Sequence, residues 1–519
     1  MTKPFYITTA ISYPNGRPHI GHAYEAIAAD AIARFQRQMG RDVLFQTGTD
    51  EHGLKMAQAA RERGVAPAAL AEEMSSYFRE MDDRLNISYN RFIRTTQPNH
   101  HTASQALWRA MEATGDIYLD RYEGWYSVRD EAYYDEKELV LADSGERLSP
   151  QGTEVEWTVE ESWFFRLSRY GDRLLQHYND NPDFIRPEAR RNEVMRFVEG
   201  GLSDLSISRT SFDWGVRVPG SDNHVMYVWV DALTNYLTGI GYPDLTSDSY
   251  RRYWPADVHV IGKDIIRFHA VYWPAFLMSA GLDLPRQVYG HGFVLHRGEK
   301  MSKSLGNVID PLDLVRAFGV DQLRYFLLRE VTFGQDGSYS AEAIANRVNA
   351  DLSNSFGNLA QRTLSFIAKN CEGVLPCEGK GDAADDALLA SVRGTGEEVC
   401  RLWEGLALSQ GIEAWLRAVF ACNQYIDAQA PWTLRKTDPE RMTAVLATLV
   451  QAIRDLAILI RPIIPSAADA LLDQIGIGAE ERTMAALDDG EAYARLAGSD
   501  FKLDTPKPIF PRLEVPAEV

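Results

Sequence analysis

The sequence contains little cysteine. Only four cysteines occur in 519 residues, and no two of them have C-x-x-C spacing: Cys371, Cys377, Cys400 and Cys422. A disulfide framework or a zinc ribbon needs closely spaced thiols or more of them. The scarcity therefore predicts free thiols in a reducing cytoplasm.

Long apolar runs without charge are also absent. The N-terminal MTKPFYITTA lacks the apolar core of a signal peptide, and the most apolar later run, AVLATLVQAIRDLAILIRPIIP, contains Arg454, Asp455 and Arg461. A membrane-spanning helix needs about 20 consecutive, predominantly apolar residues. We therefore expect this run to form a packed helix of a cytoplasmic protein that has no membrane partner.

Positive charge is in deficit, because the formal net charge is −19 at pH 7. Such a surface disfavours unspecific binding of nucleic acid over the whole molecule, although it leaves room for a local basic track. Two nucleotide-binding motifs are missing as well, G-x-G-x-x-G and G-x-x-x-x-G-K-[ST]. Their absence argues against dinucleotide dehydrogenases and P-loop enzymes.

Strand-like and helix-like segments alternate up to about residue 300, and the remainder of the chain is helical. PFYITTAI, RDVLFQTGT and DVHVIG have the composition of buried strands. The pattern predicts an α/β fold with a Rossmann-like parallel sheet, in which ligands bind at the carboxyl ends of the strands. The polar residues that follow these strands, His19, His22, Asp50 and Asp264, should therefore converge at one edge of the sheet.

The stretch PNGRPHIGH places His19 and His22 where the first strand gives way to a helix. A helix start attracts anions, and Gly21 allows a ligand to approach the backbone closely. The H-x-x-H spacing also suits zinc, but an H-E-x-x-H pattern and a nearby third ligand are both missing. The residues alone favour a phosphate site over an ordinary polar loop, and both over a metal site.

The second informative stretch is RGEKMSKSLGN, residues 297–307. Lys300 and Lys303 lie between two glycines, so a mobile loop here could wrap its ammonium groups around a polyphosphate. An ordinary solvated surface loop fits the same residues equally well.

Together the two stretches resemble the signature of class I aminoacyl-tRNA synthetases. ITTAISYPNGRPHIGH, TGTDEHG, YVWVDALTNYL, GKDIIRFHAVYWPAFL, HGFVLHRGEKMSKS and APWTLRK resemble the methionyl-tRNA synthetase family, and the resemblance spans essentially the whole chain. It implies a catalytic domain at residues 1–114 and 223–293, a connecting insertion at 115–222, the KMSKS loop with a stem-contact region at 294–345, and an all-α anticodon-binding bundle with the C-terminal tail at 346–519.

The reaction implied by the resemblance is attack of a methionine carboxylate on the α-phosphorus of ATP, followed by transfer of the methionyl group to the terminal adenosine of tRNA(Met) for both initiation and elongation. Catalysis then consists of positioning and of stabilising charge on the phosphate oxygens. The family pattern assigns His19 and His22 to the phosphate oxygens and places Gly21 beside the adenine. It assigns Gly262 and Asp264 to the ribose. It assigns Lys300 and Lys303 to the pyrophosphate end of ATP. Magnesium should accompany ATP.

The resemblance also implies a pocket for an unbranched thioether. Aromatic walls favour polarizable sulfur, and an aspartate can pair with the ammonium group of the substrate, which the family pattern assigns to Asp50. The other residues of the implied pocket are Ile11, Tyr13, Trp229, Ala232, Leu233, Tyr236, Ile265 and His269.

The connecting insertion departs from the pattern of many relatives, which bind zinc through C-x-x-C knuckles. Ser127 and Asp130 stand where the first cysteine pair would lie, and Ala142 and Ser144 occupy the region of the second. We therefore expect no zinc and an insertion held by packing. The candidates for that packing are Trp125, Tyr126, Tyr133 and Tyr134.

Three residues of the helical part match the anticodon-reading positions of the family: Asn358, Arg362 and Trp432. Because the chain ends soon after KPIFPRLE, we expect no additional C-terminal dimerisation domain. We therefore expect a monomer. Two other classes of protein share part of this pattern. A different nucleotidyltransferase would not need the helical part, and a non-catalytic, synthetase-like tRNA-binding protein would not retain the two signatures.

Overall fold

The computed structural model describes residues 2–130, 132–142, 145–296, 298, 309–376, 381–487, 489, 491–499 and 501–515. The chain divides into two compact units. The sheet unit consists of residues 4–29 and 43–291, and the helical unit consists of residues 1–3, 30–42 and 292–519.

A six-stranded sheet forms the centre of the sheet unit. Its strands, in chain order, are β1 (Pro4–Thr9), β2 (Asp42–Thr49), β3 (Arg91–Arg94), β9 (Ile185–Arg186), β13 (Val258–Gly262) and β14 (Val288–His291), and their spatial order is β3-β2-β1-β13-β14-β9. The pairs β2 with β3, β1 with β13, β13 with β14 and β14 with β9 are parallel. This confirms the predicted Rossmann-like parallel sheet.

The same unit carries an antiparallel sheet and two small hairpin-like pairs. Their strands are β4 (Ile117–Ser127), β5 (Ala132–Tyr134), β6 (Val140–Leu141), β7 (Arg147–Leu148), β8 (Glu156–Phe165), β10 (Leu205–Ser206), β11 (Ser208–Arg209) and β12 (Val225–Met226). The four-stranded antiparallel sheet has the order β10-β8-β4-β5, while β6 pairs with β7 and β11 with β12.

The helices that begin in the sheet unit are α1 (Ile20–Gln38), α2 (Leu54–Arg63), α3 (Pro67–Arg84), α4 (Pro98–Ala113), α5 (Gly171–Asp180), α6 (Glu188–Glu199), α7 (Val228–Thr238), α8 (Asp248–Tyr253) and α9 (Trp273–Ala280). Ala23 and Ile27 of α1 are fully buried, as the helical spacing of its apolar residues predicts. A single large apolar cluster includes Tyr6 of β1, Trp108 of α4 and Trp273 of α9. The sheet is therefore packed tightly behind the edge at which its strands end.

Residues 263–280 are helical but not uniformly α-helical. A 3-10 turn at Lys263–Ile265 is followed by a π-helical turn at Phe268–Tyr272, and only then does α9 begin. The composition of this apolar segment predicts a loop and one long helix. A π-helical turn has no distinct composition, so the pattern could not reveal it.

The helical unit contains α10 (Pro311–Phe318), α11 (Val320–Glu330), α12 (Ala341–Val348), α13 (Asn358–Asn370), α14 (Ala383–Glu404), α15 (Leu408–Gln429), α16 (Pro431–Thr437), α17 (Pro439–Ile460), α18 (Pro465–Gln474) and α19 (Ala492–Ala497). The parallel strands β15 (Val294–His296) and β16 (Gly337–Tyr339) belong to it as well. Helices α14, α15 and α17 pack on one another, and the indole nitrogen of Trp415 donates to the Leu456 carbonyl at 2.9 Å. The predicted helical bundle is confirmed.

The apolar run predicted to form a packed helix lies in α17 and the turn that follows it. By length and composition α17 could cross a membrane, but 83% of its most apolar window is buried inside the protein. Its Arg454 is also buried and donates to the Ala486 carbonyl at 2.5 Å. A buried core helix of a folded protein meets the same criterion of length and apolarity, so α17 is weak support for a membrane span.

Candidate active site

The predicted site residues of the sheet unit follow three neighbouring strands. His19 and His22 come after β1, Asp50 directly follows β2, and Asp264 lies two residues after β13. Backbone bonds join these connections, because the Asp50 N–H donates to the Ser12 carbonyl at 2.8 Å and the Ala10 N–H to the Val260 carbonyl at 3.1 Å. The carboxyl ends of β2, β1 and β13 therefore form one continuous edge, as the strand order requires.

The two histidine rings are held by backbone N–H groups at the start of α1. The His19 N–H donates to Nδ1 of His22 at 3.1 Å, and the Gly21 N–H donates to Nδ1 of His19 at 3.1 Å. A ring nitrogen that accepts a hydrogen bond carries no proton, so each neutral ring keeps its proton on Nε2. The rings lie 3.8 Å apart, and both present an Nε2–H donor at the positive end of a helix.

Gly21 packs closely against the His19 ring. A Cβ atom at this position would lie 3.0 Å from Cε1 and 3.1 Å from Nδ1 of that ring. A side chain would therefore crowd the ring and require it to shift by a few tenths of an ångström.

Glu25 is a residue of this edge that sequence reasoning missed. It lies one turn after His22 on α1, and its carboxylate is 2.8 Å from Nε2 of His291 at the end of β14. Burial raises the pKa of Glu25, the bond to His291 offsets part of that rise, and the negative charge of Asp264 adds to it. Three of the sheet connections thus share one electrostatic environment. The helical spacing of His22 and Glu25 was the available signal.

Gly262 and Asp264 form a tight pair at the end of β13. A Cβ atom on Gly262 would lie 2.7 Å from a carboxylate oxygen of Asp264, so a side chain there would require the Asp264 carboxylate to move. Asp264 itself is exposed at the edge of the sheet. An exposed carboxylate beside a bare strand end suits hydrogen bonding to vicinal hydroxyl groups.

Tyr236, on α7, is tied to His269 in the π-helical turn. Nδ1 of His269 lies 3.0 Å from the Ile265 carbonyl and therefore donates to it, which leaves Nε2 to accept from the Tyr236 hydroxyl at 2.7 Å. Burial lowers the pKa of His269 to about 4, so the ring is neutral at physiological pH. The hydroxyl proton of Tyr236 therefore has a fixed direction.

His259 supports the other side of Tyr236 and was also missed from the sequence. Its ring stacks on Tyr236 with centroids 4.0 Å apart, and its Nδ1 lies 2.7 Å from the hydroxyl of Thr8. Burial lowers the pKa of His259 far below its ordinary value. A histidine inside the apolar strand segment DVHVIG was the signal, because a buried polar ring needs a partner.

Trp229 forms an aromatic wall with a residue of the π-helical turn. Its ring stacks on Phe268 at 3.8 Å with an interplanar angle of 5°, and His269 lies edge-on at 5.9 Å. Ile265 packs on the same pair. Ala232 and Leu233 of α7 are buried, whereas Ile11 and Tyr13 are half-buried in the connection after β1.

The connecting insertion contains a cluster of hydrogen-bonded polar residues at the positions of the missing cysteines. A carboxylate oxygen of Asp130 accepts from Ser149 and Thr153, each at 2.6 Å, and the hydroxyls of Ser127 and Thr153 are 2.7 Å apart. Ala142 lies in the turn between β6 and β7 instead, and Ser144 is outside the described residues. Among the residues that the structure describes, no group of three or more potential ligands could hold a metal ion.

Packing of aromatic residues contributes to the same insertion. Trp125 meets Trp157 edge-to-face at 5.4 Å, and Tyr126 and Tyr134 are buried. The Tyr134 hydroxyl donates to Asp130 at 2.9 Å. The side chain of Tyr133 lies outside the part of the structure that is described.

The three predicted anticodon residues lie in the helical unit. Asn358 and Arg362 are one turn apart on α13, and the guanidinium of Arg362 is 5.3 Å from the centroid of the Trp432 ring. Trp432 is 44% exposed, and Asp427 orients Arg362 with an ion pair at 2.7 Å. An exposed indole beside an oriented guanidinium is a surface on which a base can stack.

Lys300 and Lys303 lie outside the described residues. The nearest described position on their N-terminal side is Gly298, whose N–H donates to the Ser338 hydroxyl at 2.9 Å. Their predicted contact with pyrophosphate therefore stays a prediction from the sequence.

A parallel sheet, paired histidine donors at the start of a helix, and a helical bundle with an exposed stacking surface define a class I aminoacyl-tRNA synthetase. The family model for tRNA synthetases class I (M) matches residues 5–364, and the model for the anticodon binding domain of methionyl tRNA ligase matches residues 375–514. The chain belongs to the methionyl-tRNA synthetase family, whose members are methionine–tRNA ligases.

Individual relatives agree over the full length of the chain. The methionine–tRNA ligase of Brucella suis biovar 1 (strain 1330) is 57% identical over 510 residues, which is 98% of each chain, and that of Rhizobium meliloti (strain 1021) is 56% identical over 518 residues, or 99% of each. The solved methionyl-tRNA synthetase of Mycobacterium tuberculosis in complex with methionyl-adenylate is 56% identical. It superposes with a TM-score of 0.95, and the match covers 98% of this chain and 100% of that one.

Proposed function

We propose that methionine and ATP react at the sheet edge formed by the carboxyl ends of β2, β1 and β13. The observation that carries this proposal is the pair of Nε2–H donors on His19 and His22 at the start of α1. Negative charge grows on the phosphate oxygens as the methionine carboxylate attacks the α-phosphorus and pyrophosphate leaves. Donors that are already oriented stabilise this charge without reorganising during the reaction.

Nucleotide binding involves the neighbouring connections. Gly21 leaves room for the adenine, while Gly262 and Asp264 hold the ribose hydroxyls at the end of β13. Lys300 and Lys303 close on the pyrophosphate end. Magnesium, which usually binds through substrate phosphates with few protein ligands, enters with ATP.

Methionine binds between α7 and the π-helical turn. Tyr236, with its hydroxyl directed by His269, contacts the thioether, and Trp229 provides a polarizable wall worth about 0.3 to 1.5 kcal/mol for a sulfur–aromatic contact. Asp50 is only 7% exposed and pairs with the substrate ammonium group.

Transfer to tRNA(Met) uses a second surface. Asn358, Arg362 and Trp432 read the anticodon by hydrogen bonding and stacking, and the same enzyme serves initiator and elongator tRNA. The protein acts in the cytoplasm as a monomer, holds no zinc, and keeps the five-segment division given by its resemblance to the family.

The proposal is tested by exchange of pyrophosphate into ATP with each of the twenty amino acids in turn. At a low micromolar enzyme concentration we expect exchange with methionine and with no other amino acid. Removal of magnesium should abolish that exchange. Exchange that does not depend on any amino acid would instead favour a different nucleotidyltransferase. A folded protein that binds tRNA without any exchange would favour the non-catalytic alternative.

A further inference from the structure

A buried carboxylate on α7 receives two histidine rings from other parts of the sheet unit. One oxygen of Asp231 lies 2.6 Å from Nδ1 of His52, and the other lies 2.6 Å from Nε2 of His100. Asp231 and His100 are fully buried and His52 is 3% exposed. We refer to these three residues as the Asp231 cluster.

The Asp231 cluster connects both sides of the proposed methionine pocket. His52 lies two residues after Asp50 on the same connection, and Asp231 lies between Trp229 and Ala232 on α7. Neither His52 nor Asp231 is among the residues assigned to the substrate. Their bond joins the connection that carries Asp50 to the helix that carries Trp229.

Independent contacts hold the outer ends of the cluster. Nδ1 of His100, on α4, lies 2.9 Å from the hydroxyl of Thr238, so this histidine touches α7 at two positions seven residues apart. On the other side, Glu51 accepts from Arg94 at 2.6 Å and from Thr96 at 2.5 Å. The connection after β2 is therefore fixed at Glu51 to the sheet and at His52 to α7.

A second tie shows what the Asp231 cluster adds. The Gln46 amide donates to the side chain of Asn235 at 2.7 Å, and the Tyr6 hydroxyl lies 2.8 Å from the Tyr236 carbonyl. These bonds attach α7 to the sheet behind the pocket, but they do not reach the connection that carries Asp50. Among these contacts, only the bond between His52 and Asp231 joins the connection after β2 to α7.

We propose that Asp231, His52 and His100 are positioning residues that hold Asp50 and the aromatic wall of α7 at the separation methionine requires. The inference rests on the proposed roles of Asp50 and Trp229. It predicts that weakening the cluster loosens both sides of the pocket and lowers methionine affinity, although none of its three residues is assigned a contact with the substrate.

The charge state of the cluster fits this role. Burial would raise the pKa of Asp231, but the charges and hydrogen bonds of His52 and His100 outweigh burial and lower the pKa below the ordinary aspartate range. The carboxylate is therefore ionised at every pH at which the enzyme works. An ionised acceptor makes shorter and stronger hydrogen bonds than a neutral amide oxygen.

The test replaces Asp231 by asparagine, which keeps the size and removes the charge and one acceptor. Misplacement of a substrate-binding group by about 1 Å costs up to roughly 100-fold, so we expect the methionine Kd and KM of Asp231→Asn to rise about 10-fold to 100-fold. The KM for ATP should stay within about threefold, because His19, His22 and Asp264 do not contact the cluster. Affinity is measured by calorimetry and KM by pyrophosphate exchange.

Asp116→Asn is the matched control. Asp116 is another buried carboxylate of the sheet unit, and it accepts from Ser279 at 2.8 Å and from Arg169 at 3.1 Å, away from the proposed pocket. Both variants should lose thermal stability, but only Asp231→Asn should lose methionine affinity. Equal methionine affinity in the two variants at similar melting temperatures would overturn the inference.

His52→Gln keeps the test decisive if Asp231→Asn does not fold. It should raise the methionine Kd in the same direction, and the double variant should cost less than the sum of the single changes, because both remove the same bond. Additive losses would contradict a shared positioning role. Asp50→Asn separates the two proposals. If it leaves methionine affinity unchanged, the assignment of Asp50 to the ammonium group is wrong. If it weakens methionine binding while Asp231→Asn and His52→Gln do not, only the inference about the cluster is wrong.

Discussion

The sheet edge and the Trp432 surface, the two proposed binding sites, are organised in opposite ways. At the edge, His19, His22 and Tyr236 are fixed by hydrogen bonds to neighbouring groups. On the helical unit, Trp432 is 44% exposed, and its neighbour Arg362 is oriented by an ion pair with the exposed Asp427. The first site contributes donors whose direction is set before a ligand arrives, whereas the second contributes area for stacking.

This difference predicts different penalties for losing one side chain. A preorganised donor in a water-poor site is worth more than a stacking contact at a surface, because its dipole acts in a lower effective dielectric and needs no reorganisation. It also predicts that substitutions at the two sites affect different steps of the reaction. Changes at the edge should slow adenylate formation, and changes on the helical unit should weaken only the transfer that requires tRNA.

The largest effect is expected for His22→Ala. Removing one preorganised donor to a developing charge typically lowers the rate by about 100-fold to 1,000-fold, so single-turnover adenylate formation should slow by at least 100-fold. Methionine affinity, measured without ATP, should stay close to that of the parent and serves as the control. Unchanged single-turnover kinetics would reject the donor role, and binding of zinc by the purified protein would revive the metal interpretation of the two histidines.

A smaller effect is expected for Trp432→Ala. A lost base stack costs about 1 to 3 kcal/mol, so kcat/KM for tRNA should fall roughly 5-fold to 150-fold, while pyrophosphate exchange with methionine should proceed at the parental rate. The penalty should largely vanish on a minihelix of the acceptor stem, which has no anticodon. The control is Phe420→Ala, another exposed aromatic residue of the helical unit at 45% exposure, which should leave tRNA charging unchanged.

That assignment would be wrong if Trp432→Ala charged intact tRNA as well as the parent does. Loss of pyrophosphate exchange in a folded variant would contradict it in another way, because the helical unit would then affect the chemistry at the sheet edge.

The buried character of the edge also predicts a dependence of stability on pH. The pKa of His269 falls from 6.5 to about 4 on folding, so between these values the unfolded chain binds a proton that the native protein does not. Stability then decreases as the pH falls through this window. His269→Asn removes this titrating group. Between pH 7 and pH 5.5 its free energy of unfolding should therefore fall by about 1.2 kcal/mol less than that of the parent, in denaturant titrations without methionine. Identical losses for the two proteins would show that His269 is not buried in its neutral form.

The smallest effect is expected for metal chelators. In the connecting insertion Asp130 accepts hydrogen bonds from Ser149 and Thr153, so we expect this segment to be held without a metal ion. EDTA with magnesium kept in excess should change neither the melting temperature nor the rate of pyrophosphate exchange, since a structural zinc would contribute directly to folding. Stoichiometric zinc in the purified protein, measured by atomic emission, would contradict this prediction.

The strands, the edge and the shared helix face of Asn358 and Arg362 were predictable from the sequence because each has a local signal. Alternation between apolar strands and amphipathic helices fixes a parallel sheet, and the order of its strands places the connections after β1, β2 and β13 side by side. Asn358 and Arg362 are four residues apart, which is sufficient to place them on one helix face.

The partners that orient these residues could not be found in the same way. His259, Glu25 and the Asp231 cluster act through contacts between segments that are distant in the chain. Periodicity assigns such a residue to a strand or helix but not to a partner. Tyr236 belongs to the pocket implied by the resemblance, but the bond to His269 that directs its hydroxyl depends on the π-helical turn, which composition does not reveal.

That π-helical turn at Phe268–Tyr272 makes the site sensitive to chain length rather than to residue identity. It accommodates one residue more than an α-helical turn, and each residue of a helix advances its direction by about 100°. Deleting one residue here would leave a regular and fully hydrogen-bonded helix, yet it would rotate either His269 away from Tyr236 or all of α9 away from its packing. We therefore expect this turn to tolerate an inserted or deleted residue less well than a substitution at an exposed position.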